Sequence, residues 1–171
     1  MTIALSYAQI LLQCLEDELD TRPSPPLYRM LRGGDHVSPS RSVTEDECCS
    51  GLAWVRIVGT VREDALDFAQ PAHSGCRNHT RRTTLELGVA RCMPTPPADA
   101  MVTADQWNAV VGLMESDHSA MEAAACCFTQ DPITEFDVAV QVEEYTPEGP
   151  DANCISATLT VSVIYACACG G

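Results

Sequence analysis

Lysine is absent from this sequence, and all 10 of its basic residues are arginines. The arginines lie between Arg22 and Arg91, so residues 92–171 carry 12 acidic side chains and no Lys or Arg; the formal net charge of the chain is −14 with His neutral. A protein that binds nucleic acid needs Lys and Arg to replace the counterions of the phosphates. The acidic half without Lys or Arg therefore argues against nucleic-acid binding. It favours a solvated acidic surface, or a surface that repels DNA.

Long apolar runs are also missing. No stretch approaches the ~18 apolar residues that a membrane span requires, so the sequence predicts no membrane association. The N-terminus has no positively charged region of the kind that begins a signal peptide, which predicts folding in the cytosol where the chain is made. The length of 171 residues and the hydrophobic content of 46% predict a single globular domain, residues 1–171.

The ten cysteines include no CxxC pair and no Cys2His2 spacing, the usual patterns of a zinc site. Buried thiols that act as small apolar side chains are the first interpretation, late-forming disulfides the second and a metal site the third. Because the cytosol is reducing, we expect most of the thiols to be free and buried when the protein is made. The nearest approach to a metal motif is Cys76-Arg-Asn-His79. The cysteines are Cys14, Cys48, Cys49, Cys76, Cys92, Cys126, Cys127, Cys154, Cys167 and Cys169.

Catalytic signatures are missing as well: the sequence has no GxSxG, HExxH, P-loop or GxGxxG motif. The acidic pairs Glu143-Glu144 and Glu63-Asp64 fit solvated turns or strand ends better than carboxylates that share a proton. The sequence therefore predicts a protein that is not an enzyme, with no catalytic residue, no cofactor and no metal.

The clearest pattern that is present lies in residues 133–169, which predict two long strands of a β-hairpin. Apolar residues recur at nearly every second position from Phe136 to Tyr145, with one slip after Val142, and without a break from Ile155 to Tyr165. A period of two gives each strand one face for a core. The stretch Thr146–Asn153 is rich in Pro and Gly, so it predicts a long acidic turn.

Two helices are predicted, over residues 3–20 and 103–127. Several acidic residues lie in the last turns of the first helix, where the helix dipole disfavours negative charge. We therefore expect this helix end to be held by tertiary contacts or to face basic groups on a neighbouring molecule. The second begins with a capping box, Thr103-Ala-Asp-Gln106. We expect it to pack across the sheet through Trp107, Val111, Met114, His118 and Met121; if Trp107 faces outward, the helix becomes a candidate inter-subunit surface.

The remaining segments complete an α+β prediction. A Pro-rich linker over residues 22–26 and an exposed loop over residues 32–47 precede strands over 52–62 and 83–92. Residues 27–31 allow a further short strand. The predicted order is α-β-β-α-β-β, with two helices against a mostly antiparallel four-stranded sheet.

Four successive stretches carry a resemblance: Asp46–Ile57 (DECCSGLAWVRI), Leu85–Pro94 (LELGVARCMP), the long helix, and Tyr145–Cys154 (YTPEGPDANC) with the alternating strand after it. In this order they resemble neck proteins of long-tailed (siphovirus-type) actinobacterial phages, and among these most of all the tail terminators. The resemblance covers nearly the whole chain from Asp46 onward. The absence of lysine and the abundance of Arg and Ala also suit a GC-rich host.

The resemblance implies a structural virion protein assembled in the host cytoplasm. Tail terminators of this type close into a six-fold ring on the last ring of the tail tube, stop its growth and present the tail to the head connector. The implied partners are further copies of the chain, the major tail tube protein and the head-to-tail connector or stopper, while double-stranded DNA passes through the lumen without specific binding.

A ring needs two different complementary patches on each subunit. The split charge suggests an arginine-bearing patch set against an acidic one, and reversing both Arg81 and Arg82 to Glu is expected to weaken assembly more than folding. Two alternatives remain: another neck component such as the head-to-tail stopper, or a cytosolic thiol or metal module around Cys76. The candidate interface residues are Arg81, Arg82, Glu143, Glu144, Glu148 and Asp151.

Overall fold

The fold is an α+β arrangement of two helices and one five-stranded sheet. A computed structural model describes residues 3–33, 48–62, 79–96, 101–131, 138–151 and 153–167. Along the chain the elements are α1 (Ile3–Asp20), β1 (Tyr28–Arg32), β2 (Leu52–Arg62), β3 (His79–Cys92), α2 (Ala104–Thr129), β4 (Val138–Asp151) and β5 (Cys154–Cys167). The predicted α+β class is confirmed, and the predicted helix over 3–20 has the observed bounds.

The strand number and element order differ from the prediction. The sheet has the order β1-β2-β3-β5-β4, and β1 pairs in parallel with β2 while the other neighbours are antiparallel. The order is therefore α-β-β-β-α-β-β, with five strands where four were expected. The short strand β1, Tyr-Arg-Met-Leu-Arg, has no alternation of apolar and polar residues, so its pairing could not be established from periodicity.

Strand β4 continues through the stretch that was predicted to be a turn. It runs to Asp151 and includes Pro147 and Gly149. This departure has a physical reason: β4 is the edge strand, and a proline there need not donate a hydrogen bond to a neighbour. The slip predicted after Val142 is confirmed, because the register with β5 shifts between Val142 and Tyr145. The predicted onset of this strand, residues 133–137, lies outside the described residues.

Both helices cover the same face of the sheet. One continuous apolar core joins them to β2, β3 and β5. At its centre the ring of Tyr7 meets Phe128 of α2 edge-on at 6.2 Å and Tyr165 of β5 at 5.6 Å between centroids. The largest side chains that are fully buried are Tyr7, Phe128, Leu11, Leu15, Leu19, Leu52, Leu85, Leu87 and Met121.

The opposite face of the sheet is more polar. Trp54 is only 3% exposed there, and it lies beside a bidentate ion pair in which Arg56 donates to both carboxylate oxygens of Glu86, each at 2.6 Å. The indole Nε1 of Trp54 donates to the same carboxylate at 3.3 Å, and the guanidinium of Arg32 lies 5.5 Å from the centre of the indole ring. The indole is thus held in one orientation against the sheet.

The acidic C-terminal end of α1 is bound by an arginine of the same chain. Arg29 of β1 donates to the side chain of Asp20 and, at 3.3 Å, to the carbonyl of Glu16. The hydrogen bond from Arg29 lowers the pKa of Asp20. A cation at a helix C-terminus also interacts favourably with the dipole. The expected tertiary contacts at this helix end are therefore present.

Six of the cysteines that the structure describes are paired in disulfides. Cys14 of α1 is bonded to Cys127 of α2, and the adjacent Cys48 and Cys49 are bonded to Cys154 and Cys92 respectively. Cys92 and Cys154 are themselves opposite each other on β3 and β5. The expectation of unpaired thiols is wrong for these six residues, because the fold brings together cysteines that no local spacing connects. Cys126 is exposed and free.

A non-reducing peptide map of the protein is expected to show these three linkages. Digestion under acidic conditions, with free thiols alkylated first, should leave Cys126 modified and the three pairs intact. Alkylation of Cys14 or Cys92 before reduction would contradict the pairing. The adjacent Cys126 serves as the matched control for Cys127, since only the latter is expected to be protected.

None of the helices in the described ranges has the length and apolar character that crossing a bilayer requires.

Candidate interaction surface

Arg81 and Arg82 lie near the start of β3 and point to opposite faces of the sheet. Arg81 pairs with Tyr165 of β5, whose ring belongs to the core beneath the helices. Its neighbour Arg82 therefore points to the face that the helices leave uncovered. Arg81 is exposed and Arg82 is half-buried. Of these two arginines, Arg81 is the one on the helix-covered face, at the end of the sheet where α1 begins.

The acidic candidates lie together on the edge strand β4. Glu143 and Glu144 are exposed beside its register shift, and Glu148 is partly buried. Glu143 accepts a hydrogen bond from Ser162 of β5, and Glu148 accepts one from Ser156 at 3.1 Å. Both carboxylates therefore lie on the face opposite the helices. Asp151 is the last residue of β4, and its side chain lies outside the described residues.

The structure separates Arg81 from Glu148 within one chain. Strand β5 separates β3 from β4. Arg81 is level with Val138 of β4, because both pair with Tyr165 of β5. Glu148 of β4 is level with Ala90 of β3, because both pair with Ser156, at the other end of the sheet. At about 3.3 Å per residue, the Arg81 and Ala90 positions are about 30 Å apart. An electrostatic contact between Arg81 and Glu148 must therefore join two copies. Arg82 lies on the same face as Glu143 and close to it in register, because Ser162, which donates to Glu143, is two residues from Ile164, the β5 partner of Arg82.

Helix α2 has a packed half and an exposed half. Met121, Ala124, Ala125 and Phe128 are buried, whereas Trp107 is 41% exposed and Val111 is 53% exposed. Met114 is partly buried against the core, and the ring of His118 stacks on Tyr145 of β4 with centroids 3.8 Å apart. Burial and the nearby Glu115 raise the pKa of this Tyr145. The prediction that the helix packs through Trp107 and Val111 is wrong, although its C-terminal part does cover the sheet.

A buried ion pair marks the boundary between these two halves. Arg91, near the end of β3, donates to both carboxylate oxygens of Asp117, at 2.8 and 2.6 Å. A further hydrogen bond from Arg91 reaches the carbonyl of Ser24 at 2.9 Å. Both side chains are nearly inaccessible, at 9% and 3% exposure. The pair fixes the middle of α2 to the sheet, and residues 104–113 extend beyond it without a buried side chain.

The sequence analysis identified neither member of this pair. One signal was available: Leu85, Leu87 and Val89 alternate toward the core, and Arg91 continues the same alternation. An arginine at a core-facing position requires a carboxylate partner. The row of alanines Ala120, Ala124 and Ala125 further indicates the close-packed side of α2.

Truncation of Trp107 to alanine is expected to change the free energy of unfolding by less than about 1 kcal/mol, because the side chain is part of the surface. Chemical denaturation of the purified variant measures this. Met121→Ala is the matched control on the same helix: its side chain is fully buried, and its loss is expected to cost about 2–5 kcal/mol. An equal loss for the two variants would contradict the exposed position of Trp107.

A cavity of about 420 Å³ opens at the other end of the helical layer. It is lined by Ile3, Ala4, Thr60, Arg81 and Tyr165. Its walls are thus the first turn of α1 and the adjoining ends of β2, β3 and β5. Apolar walls with one cationic group at the side are suited to an apolar side chain that has acidic neighbours.

Within the described ranges, no group of three or more His, Cys, Asp and Glu side chains is placed to hold a metal ion. Cys76 of the Cys76–His79 motif lies outside those ranges, and so does the side chain of His79. The metal alternative around Cys76 therefore remains a prediction from sequence.

A comparison with models of known protein families found no match, and a comparison with curated proteins found no significant match.

Proposed function

We propose that this protein is a structural component of a phage virion that closes into a ring on the end of the tail tube. In this role it ends tube growth and joins the tail to the head connector, and DNA passes through its lumen. It has no catalytic role. The sequence motifs that resemble tail terminators supply the specific identity in this proposal.

The observation that carries the proposal is that two different surface patches lie at opposite ends of one subunit whose core is cross-linked by disulfides. At one end lies the exposed half of α2, and at the other end Arg81 lies beside the cavity. A heterologous contact between two unlike patches generates a ring when the rotation closes, whereas a two-fold dimer uses one patch twice. Three disulfides and the apolar core hold the spacing of the two ends constant.

The carboxylates of β4 and the charge of −14 support the expected passage of DNA. An acidic wall repels phosphates, so DNA is not retained by it. The partners proposed for the ring are the major tail tube protein on one side and the connector or stopper on the other.

Electron microscopy of negatively stained protein, averaged over particles, tests the ring. We expect six-fold rings, either from the isolated protein at high concentration or on the ends of tail tubes mixed with it. Closed two-fold dimers, or tubes whose ends stay bare, would contradict the proposal.

A stop codon in the corresponding gene of a phage that encodes this chain separates the terminator from the stopper. Loss of a terminator is expected to give tubes that exceed the normal tail length. Loss of a head-to-tail stopper should instead leave tails of normal length beside heads that do not retain their DNA. The second outcome would reassign the protein to the neck component that was the alternative.

A further inference from the structure

The exposed half of α2 presents an apolar ridge that ends in an acid. Trp107, Val111 and Glu115 follow one another at intervals of four residues, so they lie along one side of the helix. All three are exposed. A large aromatic side chain that is partly solvated in the free protein is a frequent anchor of protein interfaces.

The cavity beside Arg81 has the complementary properties. Ile3, Ala4 and the ring of Tyr165 give it apolar walls, and the guanidinium of Arg81 gives it a positive edge. It is a depression of about 420 Å³ that is open to solvent on one side, so a side chain can approach it from another molecule. The Trp107 ring can therefore pack against the apolar walls while Glu115, two helical turns along the ridge, lies on the side of Arg81.

The ridge and the cavity lie at opposite ends of the subunit. Phe128 of α2 contacts Tyr7, whose ring contacts the Tyr165 that lines the cavity. The cavity therefore lies near the C-terminal end of α2, and Trp107 is about 30 Å away along the helix axis. Trp107 cannot reach the cavity of its own chain, so a Trp107 side chain that occupies it must come from a different copy.

We propose that the Trp107 ridge of one copy inserts into the Arg81 cavity of the next copy, and that this contact repeats around the ring. The inference rests on the proposed function for its closure into a ring, but the contact itself does not depend on a tail. A second copy is the occupant that the charges favour, because the ridge ends in Glu115 whereas the cavity carries Arg81. Apolar burial around Trp107 supplies affinity, and the opposite charges fix the orientation.

Two variants that each disable one side of the contact provide the test. Trp107→Ala removes the ridge and leaves the cavity intact, whereas Ala4→Trp fills the cavity and leaves the ridge intact. Analytical ultracentrifugation of each variant alone is expected to show monomers at concentrations where the unaltered protein associates. An equimolar mixture is expected to form 1:1 heterodimers and nothing larger, because the mixture offers one working contact per pair.

A second variant on the cavity side keeps the test valid if Ala4→Trp does not fold. Arg81→Glu reverses the charge of the exposed side chain at the edge of the cavity, and it should also be monomeric alone and pair with Trp107→Ala. Val142→Ser is the matched control: Val142 is exposed to a similar degree, at 47%, but lies on the edge strand, so its variant should associate like the unaltered protein. Thermal melts should show that all variants used are folded.

The outcomes separate the contact from the proposed function. If Trp107→Ala associates normally, or if the mixture stays monomeric, the contact is wrong, while rings observed with the unaltered protein would still support the tail role. If the complementary variants pair as expected but tail length is unaffected by loss of the gene, the contact stands and the proposed function is wrong. Unaltered protein that stays monomeric at its solubility limit overturns the contact as a self-association surface.

Discussion

Replacing Asp117 by alanine is expected to lower the free energy of unfolding by about 3–5 kcal/mol, because it leaves the Arg91 guanidinium buried without a counter-charge. Arg91 donates two hydrogen bonds to this carboxylate, and the exposed fractions of the two side chains are only 9% and 3%. A single domain has about 5–15 kcal/mol of stability in total, so the variant should melt far below the unaltered protein. Urea denaturation followed by circular dichroism gives the difference.

Two controls define what this result means. The Arg22–Glu18 pair, at 3.7 Å, is partly exposed, and Glu18→Gln should cost no more than about 1 kcal/mol. The double variant Arg91→Met with Asp117→Leu replaces both charges by apolar groups, which is often close to neutral for a buried pair. A loss below about 1 kcal/mol for Asp117→Ala would mean that water reaches the guanidinium and that the pair is not buried.

The same pair matters for the proposed contact between copies. Asp117 lies at the point where α2 leaves the core, so the direction of the exposed half depends on its bond to Arg91. Loss of the pair should therefore weaken association as well as folding. Comparing Asp117→Ala with Met121→Ala separates these effects: Met121 is buried deeper in the packed half, and its loss should affect mainly stability.

Local patterns in the sequence predicted the parts of the fold that depend on local physics. The apolar periodicity of α1 gave its bounds, and the capping box at Thr103 is present with both of its hydrogen bonds. The slip after Val142 also proved to be a shift in strand register. Each of these features is determined by residues within one or two turns or strand repeats of each other.

The parts that could not be predicted depend on contacts between distant residues. The disulfide between Cys14 and Cys127 joins residues 113 positions apart, and only the packing of α1 on α2 brings them together. The exposure of Trp107 has the same origin: apolar residues continue along the helix to its N-terminal half, but among the described residues the buried contacts of the helix with the sheet begin only near Asp117. Periodicity identifies the apolar side of a helix without showing how far its support extends.

The uncovered face of the sheet gives the second large effect. Gly88→Ala is expected to destabilise the protein by about 3 kcal/mol, at the upper end of the usual cost of overpacking. A methyl group at Gly88 would lie 2.1 and 2.2 Å from two ring carbons of Trp54, far closer than any real contact. The indole cannot simply turn away, since Glu86 accepts its Nε1 hydrogen and Arg32 lies over its ring.

Gly59→Ala is the control for this substitution, because Gly59 is also in the β2–β3 pair but a methyl group there meets no atom within 4 Å. Its free energy of unfolding should stay within about 0.5 kcal/mol of the unaltered protein. A double-mutant cycle then tests the cause. In a Trp54→Ala background, itself expected to cost about 3–5 kcal/mol, Gly88→Ala should add almost nothing, because the ring that it strikes is gone. If Gly88→Ala is equally costly in both backgrounds, backbone conformation rather than the indole determines the need for glycine at this position.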